Sequence, residues 1–229
     1  MKFLKRQIKS IDFKEMLGFF SHIFDSKLSQ QTVSGGGNAQ QNKLIQHRVE
    51  EIESHLDDFS KFPMARLQSA PYNLIDWNVG PGRKVTSPIY LGSALALTDQ
   101  NLLSNVGAVL TIIDPGRAPK GIVQQALLRS DGPYPRKSHL YLPLDDHPGE
   151  DISKYFDRAS EFLRYYQDRG VPILVHCMAG MSRSATLLAN YLMRKYKINA
   201  FTALDLIKKR RPIVRPNSGF IRQLVAHDK

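Results

Sequence analysis

Cysteine is almost absent from this chain: a single one, Cys177, in 229 residues. One thiol excludes an internal disulfide and any zinc site built on paired cysteines. It also suits a reducing compartment, with a cytoplasmic setting expected first and a nuclear or virion-associated one second. Long apolar runs are missing too. No stretch reaches the roughly 20 apolar residues that span a bilayer. The N-terminus, MKFLKRQIKSIDFKEMLGFF, interrupts its apolar residues with lysines, which excludes the continuous core of a signal peptide. A soluble chain follows, sized for one domain of roughly 150 residues plus an extension.

Acidic residues are in deficit. The 32 Lys/Arg and 21 Asp/Glu give a net charge of +11. Residues 1–80 hold 10 basic and 9 acidic residues, and residues 81–229 hold 22 and 12. The excess therefore sits in the second part. It favours solubility or an anionic partner: phosphoprotein, nucleic acid or acidic membrane surface.

Residues 2–28 carry Leu4, Ile8, Ile11, Phe13, Leu17, Phe20, Phe24 and Leu28 at amphipathic helical spacing. Residues 30–42 (QQTVSGGGNAQQN) read as a flexible linker. A second helical pattern follows, with Ile45, Val49, Ile52, Leu56 and Phe59 on one face. Residues 60–87 are rich in proline and glycine and read as largely irregular. From Pro88 onward strands alternate with helices. Strands are expected at 89–91, 109–113, 139–142 and 173–175, and helices near 96–105, 120–129, 151–169, 182–196, 199–210 and 217–227. The pattern predicts an α/β fold: a central, mostly parallel sheet of about four to five strands flanked by helices, with an α-helical N-terminal extension. The expected division is residues 1–80 as extension and 81–229 as the main domain.

The lone thiol follows the apolar strand VPILV and precedes the helical pattern that begins near Ser182. A free cysteine is most often a small buried hydrophobe. This one lies at a helix N-terminus, where N–H groups and the dipole favour an anion. Small or flexible neighbours let successive N–H groups converge on one point. That field favours a reactive thiolate and binds phosphate equally well. Arg183 adds a planar fork that grips two phosphate oxygens.

His176-Cys177-Met178-Ala179-Gly180-Met181-Ser182-Arg183-Ser184 matches H-C-x-x-G-x-x-R-S/T and resembles the signature of cysteine-dependent protein phosphatases, in the form found in their dual-specificity branch. Ile89-Tyr90-Leu91-Gly92, Leu142-Pro143-Leu144-Asp145-Asp146 and Pro216-Asn217-Ser218-Gly219-Phe220 resemble three further stretches of that family. The resemblance covers about residues 86–227. It implies the phosphatase fold and the hydrolysis of phosphotyrosine and phosphoserine/phosphothreonine in protein substrates, with no cofactor or metal.

The resemblance also implies roles. Cys177 is the nucleophile and forms a cysteinyl-phosphate. Arg183 and the N–H groups of Met178, Ala179, Gly180, Met181 and Ser182 hold the phosphoryl oxygens. Ser184 donates to the sulfur, His176 orients the loop, and Asn217 ties the following helix to it, or serves as an ordinary N-cap. The general acid is Asp146, by its spacing from Ile152, with Asp145 as the alternative. The run Lys208-Lys209-Arg210-Arg211 with Arg215 is either a solvated helix end or a pocket border attracting acidic phosphopeptides.

Other members of the superfamily act on phosphoinositides or RNA 5′-phosphates, and some only bind phosphoproteins. The uncharged loop positions disfavour a highly phosphorylated lipid, Arg183-Ser184 differs from the R-T usual in RNA phosphatases, and the intact Cys177 disfavours a binding-only module. Nucleic acid and membrane are therefore not the partners expected. For the N-terminal segment, a homodimer through its first helix is expected, with a kinase-docking match at Lys5-Arg6 and Ile11-Asp12-Phe13 as a weaker reading.

Overall fold

The computed structural model describes residues 37–58, 70–76, 87–116, 120–128, 133–134 and 136–228. Residues 41–229 form one compact unit. The amphipathic pattern at 2–28 lies outside the described residues.

Five strands make one sheet: β1 (Tyr72–Asp76), β2 (Ile89–Gly92), β3 (Ala108–Ile112), β4 (Ser138–Leu142) and β5 (Ile173–His176). Their spatial order is β1-β2-β5-β3-β4. β1 pairs antiparallel with β2, and the other pairings are parallel. β5 and β3 are buried at every position, which explains their predominantly apolar character, broken by Thr111 and His176 alone. β1 was not legible in the sequence. It is a short edge strand whose Asn73 and Leu74 are half-buried, so no strong apolar pattern marks it.

The strands divide their side chains between two clusters, as a two-residue period requires. Leu110, Ile112, Ile173 and Val175 enter the larger cluster, and Val109 and Leu174 enter the other. The helices are α1 (Gly37–Asp57), α2 (Gln100–Asn105), α3 (Lys120–Leu127), α4 (Phe156–Gln167), α5 (Arg183–Tyr196), α6 (Ala200–Arg210) and α7 (Ser218–Ala226). Residues of α1 and α4 to α7 join the larger cluster, while α2, α3 and a 3-10 turn at Ala94–Thr98 cover the opposite face. The expected helix at 96–105 is thus broken in two. Asp99 accepts from the Leu102 N–H at 2.9 Å and caps α2 where the turn ends.

The expected boundary at residue 80 does not hold. Val49, Ile52 and Leu56 of α1 and Ile75 of β1 are buried in the same cluster as β5 and α5. Arg48 pairs with Asp228, and His55 Nε2 lies 2.9 Å from Asp205 Oδ1. The end of the expected linker, residues 37–42, is the first part of α1. Packing of the stripe downstream carries the helix upstream through Ala39, Gln40 and Gln41, residues that tolerate helix well.

Candidate active site

Cys177 is the first residue after β5, and α5 begins at Arg183. The intervening loop lies at the C-terminal end of the central parallel strands, where open α/β sheets bind ligands. Its shape depends on Gly180, whose φ is +68°. A Cβ there would also strike the Gly92 carbonyl at the end of β2.

Every carbonyl of the loop is taken. His176 Nδ1 lies 3.3 Å from the Cys177 oxygen. The Ala94 N–H donates to the Met178 oxygen at 3.0 Å. Arg211 donates from NH2 to the Ala179 oxygen at 3.2 Å and from Nε to the Gly180 oxygen at 2.8 Å. The Arg215 N–H donates to the Met181 oxygen at 3.0 Å, and the Thr186 N–H to the Ser182 oxygen at 2.8 Å. A trans peptide points its N–H opposite to its C=O. Fastening the carbonyls from outside the loop therefore turns the N–H groups inward.

The sulfur is at the focus. The Gly180 N–H and the Ser184 hydroxyl each donate to Cys177 Sγ at 3.2 Å. Cys177 is 1% exposed, a floor position. Ser182 stands at the N-cap of α5 without capping it. Its hydroxyl donates instead to Asp146 Oδ1 at 2.7 Å.

Asp146 reaches the loop from the segment after β4. Besides Ser182, its Oδ1 accepts from Asn217 Nδ2 at 2.9 Å, and its Oδ2 lies 3.5 Å from Arg183 Nε. At that distance Arg183 and Asp146 share a charge contact rather than a hydrogen bond. Arg183 NH1 donates to the Leu144 carbonyl at 3.0 Å. Asp145 lies next in the same segment. Its Oδ1 accepts from the Asp146 N–H at 2.8 Å. Asn217 Oδ1 caps α7 through the Phe220 N–H at 3.0 Å, and its own N–H donates to Ser182 Oγ at 3.3 Å.

His176 is wholly buried, and burial pushes its pKa down to about 4. The imidazole is neutral near pH 7 and works as a fixed hydrogen-bonding group.

A cavity of about 470 Å³ opens beside the loop, lined by Ala179, Met181, Ser182, Asp146 and Asn217 on one side and by Glu53, Leu56 and Asp57 of α1 on the other. Arg215 lines it as well, paired to Asp57 at 2.8 Å.

The cationic run divides. Lys208 and Arg211 are buried, and Lys208 donates to the Pro212 and Val214 carbonyls at 2.9 Å. Burial lowers Lys208 to about 8 and Arg211 to about 10. The sequence reading placed Arg211 only within a basic run, at a solvated helix end or a pocket border, and did not foresee that it fastens the loop carbonyls. The signal was available: Leu204, Ile207, Lys208 and Arg211 recur at helical spacing on the buried face of α6. Gly219 and Gln223 were also missed. A Cβ on Gly219 would collide with the Pro148 carbonyl. Gln223 Oε1 accepts from the Ile152 and Ser153 N–H groups at 2.9 Å, and its Nε2 donates to the Glu150 carbonyl at 2.8 Å. Together they seat the Asp146 segment on α7.

The family model described as "Dual specificity phosphatase, catalytic domain" matches residues 89–229. The chain belongs to the dual specificity phosphatase family. It is 30% identical over 166 residues to dual specificity protein phosphatase 14 of Homo sapiens, covering 72% of this chain and 78% of that one. It is 33% identical over 167 residues to the tyrosine-protein phosphatase vhp-1 of Caenorhabditis elegans, covering 72% of this chain and 24% of that one. Among solved structures, DUSP15 is similar at a TM-score of 0.53 and 29% identity, over 63% of this chain and 85% of that one. The phosphatase is a hydrolase by family. Its α1 and β1 precede the matched residues, yet α1 supplies one wall of the cavity.

Proposed function

We propose that this phosphatase hydrolyses phosphotyrosine and phosphoserine/phosphothreonine in protein substrates through a cysteinyl-phosphate on Cys177. The observation that carries this reading is the sulfur itself, held by two donors beneath a loop whose carbonyls are all fastened outward. The thiolate attacks phosphorus, and the bond from phosphorus to the leaving oxygen breaks. Asp146 gives that oxygen its proton. In the second step Asp146 takes a proton from water as the water attacks phosphorus. The S–P bond then breaks, with the Ser184 hydroxyl donating to the departing sulfur. Arg183 and the N–H groups of residues 178–183 bind the three equatorial oxygens as their charge spreads. Asn217 and Ser182 hold the Asp146 carboxylate in reach.

The test is acid quench of the full-length protein reacting with a 32P-labelled phosphopeptide, followed by peptide mapping. Label on Cys177, absent in Cys177→Ser, is expected. Turnover without label on Cys177, or substantial turnover in Cys177→Ser, sinks the mechanism. Matched phosphotyrosine, phosphothreonine, phosphoinositide and RNA-triphosphate substrates test the substrate class, with the phosphopeptides expected to be fastest.

An intracellular setting suits the single reduced thiol. The homodimer through residues 2–28 rests on their apolar spacing. Deleting residues 1–36, which spares α1, should convert a dimer to a monomer in light scattering. A monomeric full-length protein ends that reading.

A further inference from the structure

Two imidazoles outside the phosphate loop converge on one threonine hydroxyl. Thr111 of β3 and His176 of β5 are register partners, and His139 of β4 pairs with Val109, two residues from Thr111 on the same face. Thr111 and His176 are fully buried, and His139 is half-buried. His176 Nε2 lies 2.8 Å from Thr111 Oγ1, and His139 Nε2 lies 2.9 Å from the same oxygen.

The hydroxyl has one proton for two ring nitrogens, so the directions can be worked out. The Cys177 carbonyl only accepts, so His176 Nδ1, at 3.3 Å, carries a proton. Were Nε2 protonated as well, the ring would be a cation in a fully buried site, facing the second imidazole of His139 across a hydroxyl. The imidazole is neutral: burial holds His176 at about 4 and also lowers His139. His176 Nε2 is therefore bare and accepts from the Thr111 hydroxyl. Thr111 Oγ1, with its proton committed, accepts from His139 Nε2–H.

We propose that His139 is a positioning residue for the nucleophile's own peptide, the start of a one-way donor chain from His139 Nε2–H through the Thr111 hydroxyl and His176 Nδ1–H to the Cys177 carbonyl. The chain fixes the tautomers of both histidines. Donors in series strengthen one another. Its end point pins the Cys177 carbonyl away from the loop centre, which turns the Met178 N–H toward the centre because the peptide between them is trans. The loop's other carbonyls answer to backbone N–H groups or to Arg211. This one answers to a relay that begins on the opposite face of the sheet from α5. The consequence for anion binding rests on the loop being the phosphate site; the chain itself does not.

The decisive measurement uses the wild-type full-length protein: long-range proton–nitrogen correlation of the imidazole rings by NMR at neutral pH. His176 protonated at Nδ1 and His139 protonated at Nε2 are expected. The opposite tautomer in either ring overturns the chain. Three variants then test its effect: Thr111→Val and His139→Phe, which remove a link, and His139→Gln, whose amide N–H can still donate. Orthovanadate binding should weaken about fivefold in the first two, the worth of one modest hydrogen bond, and return toward wild type in the third. Equal binding by the Phe and Gln variants overturns the positioning role. If the wild type itself fails to bind orthovanadate, the phosphate-site reading falls, while the tautomers still decide the chain.

Discussion

Two loops carry the proposed chemistry, and they are held in different ways. The loop after β5 is fastened through its backbone: six successive carbonyls accept from β5, from the turn after β2, from the segment after α6 and from α5. The loop after β4 is fastened largely through side chains, from α7 with its N-cap and from Ser182 and Arg183 at the start of α5. Asn217 grips Asp146, Gln223 grips residues 150–153, and Gly219 lets Pro148 approach. Backbone fastening from many elements suits a site that must present a fixed ring of N–H groups, since electrostatic stabilisation is strongest when no reorganisation is needed. Side-chain fastening suits the proton donor proposed above, which must move aside for substrate and return.

The contrast can be broken most severely at its centre. Cys177→Ser should lower turnover by roughly 10⁴-fold or more while retaining phosphopeptide affinity, as expected for removal of a nucleophile. Isothermal titration beside a rate assay reads both. Loss of binding as well would show that the thiol also holds the loop together.

Next is Arg211, which bridges the phosphate loop to Ala70 and Asn73 of the edge-strand segment. Arg211→Met should cost on the order of 100-fold in kcat/KM, and Arg211→Lys should not recover it, because a lysine lacks the fork that reaches two adjacent carbonyls. A fully active Lys variant would show that charge, not geometry, is what Arg211 supplies.

Asp146→Asn should slow a poor leaving group by about 100-fold and an activated aryl phosphate far less, with orthovanadate affinity retained. The same selectivity in Asp145→Asn and not in Asp146→Asn would overturn the choice between them.

Gly219→Ala sharpens the comparison, because the atoms nearest to its Cβ all belong to the Pro148 backbone. A loss of about tenfold, confined to poor leaving groups, is expected. Weakened orthovanadate binding would mean that the two loops are not separable.

The smallest effect is on stability. His176 titrates near 4 when folded, against an ordinary 6.5. As pH falls, the unfolded chain takes the proton first. The stability that this neutral ring supports is complete above about pH 6.5 and declines toward pH 4, by on the order of 3 kcal/mol. Urea unfolding of wild type and His176→Gln across that range should give a steeper acid decline for the wild type.

By itself the sequence determined the loop between its strand and helix and the mostly parallel α/β core, and it singled out Asp146, a carboxylate that reaches that loop. These rest on contiguous signals: a strand, a small-residue turn and a helix in unbroken order, with buried strands that are mostly apolar. Tertiary structure decided what touches the loop from afar. Arg211 shares the helical spacing of Leu204 and Ile207 within its basic run, but only the docking of α6 decides that the surface it meets is the loop. Thr111 and His139 read as ordinary strand residues until β3, β4 and β5 align in register. Residues 41–76 read as an extension because α1 and β1 bury their apolar faces against partners far along the chain, and spacing within a segment cannot show which surface will cover it.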